Sequence, residues 1–100
     1  MNEIRLTDGA EMDLEETIDW YREEDPNAAA RFIIALEATY RAILESPTRY
    51  PKLPGGYRYR IVEKHPISVI YRIVAGEIEV VAIAHAKRKP GYWRRRNGRS

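Results

Sequence analysis

Two apolar stripes at helical spacing, separated by little more than Asp25-Pro26, constrain this chain more than any other feature. Ala10, Leu14, Ile18 and Tyr21 recur three or four residues apart, as do Ala29, Phe32, Ile33, Leu36, Tyr40, Ile43 and Leu44. The spacing predicts a first helix from Gly9 to Glu24, with Asp8 as N-cap and Glu11 as its capping-box partner. Glu11, Glu15, Asp19 and Glu23 mark its opposite, acidic face. Asp25 then caps a second helix with Pro26 at its first position, and Ser46-Pro47 ends it after Glu45. Helices joined so closely form a hairpin, and both stripes need an apolar surface to cover them.

The rest of the chain supplies a sheet. Ile4 and Leu6 alternate within a short first strand, Asn2 to Thr7. Thr48 to Gly56 reads as a loop, with Pro51, Pro54 and Gly55-Gly56. Three strand-like runs follow: Tyr57 to Lys64, Ile67 to Val74 and Glu77 to His85. Their connections at His65-Pro66 and Ala75-Gly76 are short, so the strands pair antiparallel. The predicted fold is a two-layer α+β domain in the order β-α-α-β-β-β, a helical hairpin packed on a small, mainly antiparallel sheet. Its other sheet face is left open. One hundred residues fit one such domain.

Charge divides the chain in two. Residues 1–46 hold 12 acids against 4 bases, a net of −8, and residues 47–100 hold 3 acids against 13 bases, a net of +10. The basic half suits a partner with phosphate or carboxylate groups. It is equally the pattern of a solvated helical layer on a basic sheet. No run approaches the roughly 20 apolar residues of a membrane span, and Met1 to Arg5 lacks a signal-peptide layout. A cytoplasmic protein without membrane contact is the expectation. There is no cysteine, hence no disulfide framework and no thiolate chemistry. His65 and His85 have no zinc-ligand spacing, and Gly55-Gly56 follows no strand and opens no helix. No metal and no cofactor are expected.

Candidate chemistry collects late in the chain. Arg58 and Arg60 share one face of a strand and could grip an anion bidentately, or simply discourage edge pairing. By alternation His85 shares a side with Val81 and Ile83, and a histidine there serves either as acid–base group or as a hydrogen-bonded structural residue. Lys87, Arg88, Lys89, Arg94, Arg95, Arg96 and Arg99 could meet phosphates, with Tyr92 and Trp93 stacking on bases. Alternatively Tyr92 and Trp93 fold back to seal the sheet edge.

Taken together, these pieces resemble the RelE/ParE superfamily of toxins from type II toxin–antitoxin modules. Ala10 and Leu14 through Tyr21 are similar to its first helix, and Pro26, Ala29, Ala30 and Phe32 to the start of its second. Pro47 and Pro51 fit its loop, and Tyr59-Arg60-Ile61-Val62 with Val69-Ile70-Tyr71-Arg72-Ile73 its strand pair. Ile83-Ala84-His85, then Arg88, Pro90, Tyr92 and Trp93, resemble its closing motif.

The resemblance implies a toxin paired with a cognate antitoxin in a hetero-oligomer. Its Tyr-Arg and His-x-x-Arg elements look closer to ParE-like members and their plasmid-stabilisation relatives, which inhibit DNA gyrase. On that reading Arg58, Arg60, Lys87, Arg88, Tyr92 and Trp93 are binding residues, and the protein is an inhibitor rather than an enzyme. RelE-like members instead cut mRNA on the ribosome; His85 would then be base or acid, Arg60 and Arg88 charge stabilisers, and Tyr92 a stacking residue or acid. Lys52 and Lys64 are the only lysines before the tail, fewer than RelE-like nucleases generally carry. A third reading is an inactive homologue that only binds an antitoxin. In each case residues 94–100 read as a dispensable, disordered cationic extension.

Overall fold

The computed structural model of the protein describes residues 3–97. β1 (Ile4–Leu6) leads into two helices, α1 (Asp8–Glu24) and α2 (Pro26–Glu45). β2 (Lys52–Leu53), β3 (Tyr57–Ile61), β4 (Ile67–Val74) and β5 (Glu77–His85) follow, and α3 (Tyr92–Asn97) closes the described chain. The sheet runs β1-β5-β4-β3-β2; β1 pairs parallel with β5 and every other pair is antiparallel. The β-α-α-β-β-β frame and its two layers are as the sequence predicts. The structure adds β2, inside the expected loop, and α3.

Local chemistry explains the boundaries. Asp25 caps α2 as expected, its carboxylate accepting from the Asn27 N–H at 3.0 Å. The cap of α1 is Thr7 rather than Asp8: the Thr7 hydroxyl accepts from the Ala10 N–H at 3.1 Å. Asp8 instead stands in the first helical turn, where a negative charge suits the helix dipole. The turn from β2 to β3 uses Gly55 and Gly56 at φ 90° and 87°, a left-handed backbone that other residues rarely adopt.

The main core lies between the hairpin and the sheet. Phe32, Leu36 and Ile43 of α2 pack with Ile67, Val69, Tyr71, Ile78, Val80 and Ile83. Burying each such side chain contributes roughly 1.5–3 kcal/mol. The Tyr71 hydroxyl donates to the Pro47 carbonyl at 2.6 Å, tying the exit of α2 to the sheet. Burial pushes its pKa up to about 12.

The opposite sheet face is not simply open. Tyr57, Ile70, Val81 and Ala82 form a second cluster, and Trp93 of α3 closes over it. Trp93 meets Tyr57 edge-on, with ring centroids 4.7 Å apart. Of the expected cationic extension, Arg94 to Arg96 belong to α3; the remainder, 98–100 with Arg99, lies outside the described residues, as does Asn2 of the expected first strand.

One irregularity sets the rest. The β4–β5 register pairs Ile70 with Ala82 but Tyr71 with Val80, so Val81 is an extra residue in β5. Before it, Ile78 and Val80 face the helices; after it, Ile83 does. Val81 and Ala82 both join the outer cluster.

Candidate functional site

β5 and the segment after it build a groove on the outer sheet face. Its volume is ≈ 620 Å³, with Tyr59, Ile70 and Ala84 on the strands and Arg88, Trp93 and Arg94 beyond them. Lys89 also lines it, and no acid does. Arg94 is fixed by a hydrogen bond from Nη1 to the Pro54 carbonyl at 2.9 Å, and its guanidinium lies 4.4 Å from the Trp93 ring centroid. Arg88 lies over Tyr92, 3.8 Å from that ring centroid. Both guanidiniums are thus stacked yet keep donors for an anion.

The bulge corrects the expected position of His85. It shares a side with Ile83 but not with Val81, and its ring meets Trp20 of α1 at 5.9 Å between centroids. Its Nδ1 accepts from the Lys87 N–H at 3.0 Å, so in the neutral ring Nε2 carries the proton. His85 also borders a smaller hollow, ≈ 300 Å³, with Trp20, Thr17, Glu16, Lys87 and Arg88.

Arg58 and Arg60 share one face of β3, as the alternation predicts. They do not face the groove: Arg58 pairs across the strands with Tyr71, which packs in the main core. Arg58 Nη1 donates to the Tyr50 carbonyl at 2.8 Å, and Arg60 lies 4.7 Å from the Tyr50 ring centroid. β3 instead turns Tyr57 and Tyr59 toward the outer face. Of the four residues that RNA cleavage would require, His85, Arg88 and Tyr92 therefore border the groove while Arg60 stands on the other side of the sheet.

Tyr92 is committed elsewhere. Its hydroxyl donates to Asp13 Oδ2 at 3.0 Å. Its pKa is raised, first by burial and then by the Asp13 charge, which makes it a poor proton source.

Sequence reasoning missed Asp13. It stands one position from the apolar stripe of α1 among many surface acids, yet it is only 4% exposed. Arg96 reaches it with Nη2 to Oδ2 at 2.6 Å and Nη1 to Oδ1 at 3.2 Å. Its position beside the apolar stripe was the available signal, shared with Glu15; its partner lies 83 residues away and no local pattern points to it. Among the described residues, no group of three or more His, Asp or Glu is placed to hold a metal ion, and no helix is long and apolar enough to cross a membrane.

A family model described as the ParE toxin of the type II toxin–antitoxin system, parDE, matches residues 4–90, the whole of the hairpin and sheet but not α3. Two solved structures are similar in fold. A chain of the chromosomal ParDE TA system from P. aeruginosa superposes with a TM-score of 0.73 at 21% identity, covering 85% of this chain and 96% of that one. A YoeB/ParE toxin from Agrobacterium tumefaciens gives a TM-score of 0.60 at 17% identity, over 85% of this chain and 98% of that one. No match is found among curated proteins.

Proposed function

The chain belongs to the family of ParE toxins of type II toxin–antitoxin systems, and from that premise we propose that it arrests growth by binding DNA gyrase in the cytoplasm and is neutralised by a cognate antitoxin. The observation that supports an inhibitor over a nuclease is that the acid–base set is incomplete at the groove: His85, Arg88 and Tyr92 border it, but Tyr92 is engaged with Asp13 and Arg60 is absent from it. Tyr92 is bonded to Asp13, Arg60 is stacked on Tyr50 behind the sheet, and His85 turns toward α1. Cleaving RNA requires a base, an acid and charge stabilisers converging on one phosphate. Inhibition by binding requires only a complementary surface. The groove offers one: apolar side chains in its floor, braced from within by the buried Trp93, and Arg88, Lys89 and Arg94 around them.

Arg88, Lys89 and Arg94 are the proposed binding residues, with Lys87 and His85 on the adjoining rim and Trp93 supporting the wall from beneath. The antitoxin would cover the same basic surface with an acidic segment, forming a hetero-oligomer. The test is a supercoiling assay with purified protein and DNA gyrase, repeated with the antitoxin added. Inhibition relieved by antitoxin is the expected result. Undisturbed supercoiling at saturating protein, with RNA cleaved on ribosomes in a parallel assay, would replace this reading with the nuclease.

A further inference from the structure

Among the described residues, the upper edge of β5 has no neighbouring strand. β1 stops pairing at Val80, where the Thr7 N–H donates to the Val80 carbonyl at 3.0 Å. The backbone groups beyond would be left open on an edge, where open groups invite further pairing. Three side chains take them instead. Arg96 Nη2 donates to the Val81 carbonyl at 3.2 Å, the Ile83 N–H donates to Asp13 Oδ2 at 3.1 Å, and the Tyr92 hydroxyl reaches the Ile83 carbonyl at 3.4 Å. Asp13 ties these contacts together, because Tyr92 and Arg96 both donate to its carboxylate.

The fit extends to the first turn of α1. A Cβ built on Gly9 would stand 2.5 Å from Arg96 Nε, so the guanidinium lies where only glycine leaves room. α3 itself has six residues, too few to hold a helix without tertiary contacts. The same short helix carries Tyr92, on which Arg88 stacks, and Trp93, which walls the groove.

We propose that Asp13 is the positioning residue of the groove: it fastens α3 to the edge of β5 beyond β1, and through Tyr92 and Arg96 it holds Arg88 and Trp93 in their working places. α3 is then a latch on an otherwise complete β-α-α-β-β-β body. Its place beyond residue 90 puts it outside the span that the family model matches. The activity part of this proposal rests on the toxin reading; the structural part does not.

The experiment uses the full chain with Trp20→Phe, which leaves Trp93 as the sole tryptophan. Asp13→Ala and Arg96→Ala are compared in that background, with Arg96→Lys as the conservative variant. Three readouts are taken: Trp93 emission, tryptic cleavage within Arg94–Arg96, and growth arrest on induction. Released α3 shifts Trp93 emission to the red and speeds cleavage about tenfold, as local opening does. Growth arrest is lost in Arg96→Ala while its far-UV melting stays cooperative and near that of the parent, and Arg96→Lys recovers part of each readout. Arg96→Ala spares α1 and the main core, so it remains informative if Asp13→Ala fails to fold. Unchanged emission and cleavage in Arg96→Ala overturn the latch. Release of Trp93 with growth arrest intact overturns the positioning role. A parent protein that never arrests growth defeats the toxin reading alone, and leaves the spectroscopic and proteolytic comparison standing.

Discussion

The two faces of the sheet are held by different physics. The helix side is a broad apolar layer in which Phe32, Ile43, Ile67, Val69, Val80 and Ile83 are buried together, with many partners for each. The outer side has a small cluster around Trp93 and charged pairs, Asp13 with Arg96 and Arg72 with Glu79 at 2.7 Å. Loss of one member of the apolar layer weakens everything that packs there, because interiors are close-packed and share contacts. Loss of the outer cluster has a local escape, since a six-residue helix can detach and leave the body folded. The difference teaches where a binding surface can be tuned: on the side closed by a short helix that individual side chains hold rather than a broad apolar layer.

Three measurements would break or sharpen that contrast. Phe32→Ala should have the largest effect, about 4 kcal/mol, because Phe32 is fully buried and the hairpin cannot close the cavity. Urea unfolding followed by circular dichroism should show one transition at lower denaturant. Trp93→Ala should cost about 2 kcal/mol, less than its size suggests, because α3 is released instead of leaving a void. Two probes, far-UV signal and proteolysis at Arg94, should then part company. If the two variants lose equal stability in one transition, the faces are energetically one unit.

The smallest effect at neutral pH concerns the tyrosines. Burial pushes Tyr40 and Tyr71, both on the helix side, up to about 12, and raises Tyr92 on the outer side as well. A raised pKa means that the folded state holds its proton more tightly than the unfolded chain at 10.0. Their contribution is therefore whole below pH 10 and is lost as pH rises from 10 through 12. Tyrosinate absorbance should show late, unfolding-coupled ionisation for Tyr40, Tyr71 and Tyr92. Asp13→Ala should bring only Tyr92 forward in that titration.

Much of the frame is legible in the amino-acid order. The stripe from Ala29 to Leu44, bounded by Asp25-Pro26 and Ser46-Pro47, matches α2 residue for residue at both ends. Hydrophobic alternation and the turn at Ala75-Gly76 place β4 and β5 at the bounds that they occupy. The cap of α1 shifts by one, because Thr7 and Asp8 are both competent caps and only the pairing of β1 with β5 decides which one has the extended backbone. The candidate site was less legible. Arg88, Tyr92 and Trp93 do come together as one wall, but Arg58 and Arg60 stand behind the sheet.

By itself, then, the sequence determined the elements, their order and the family likeness, because periodicity, caps and turn residues act over a few positions. Only the tertiary structure decided which way the key side chains face and what holds them. A period of two carries direction only while its phase is unbroken, and the extra residue Val81 breaks it, sending His85 to Trp20. The charge of Asp13 looked like one more surface acid until Arg96, 83 residues on, folded back to meet it at the edge of β5 beyond β1.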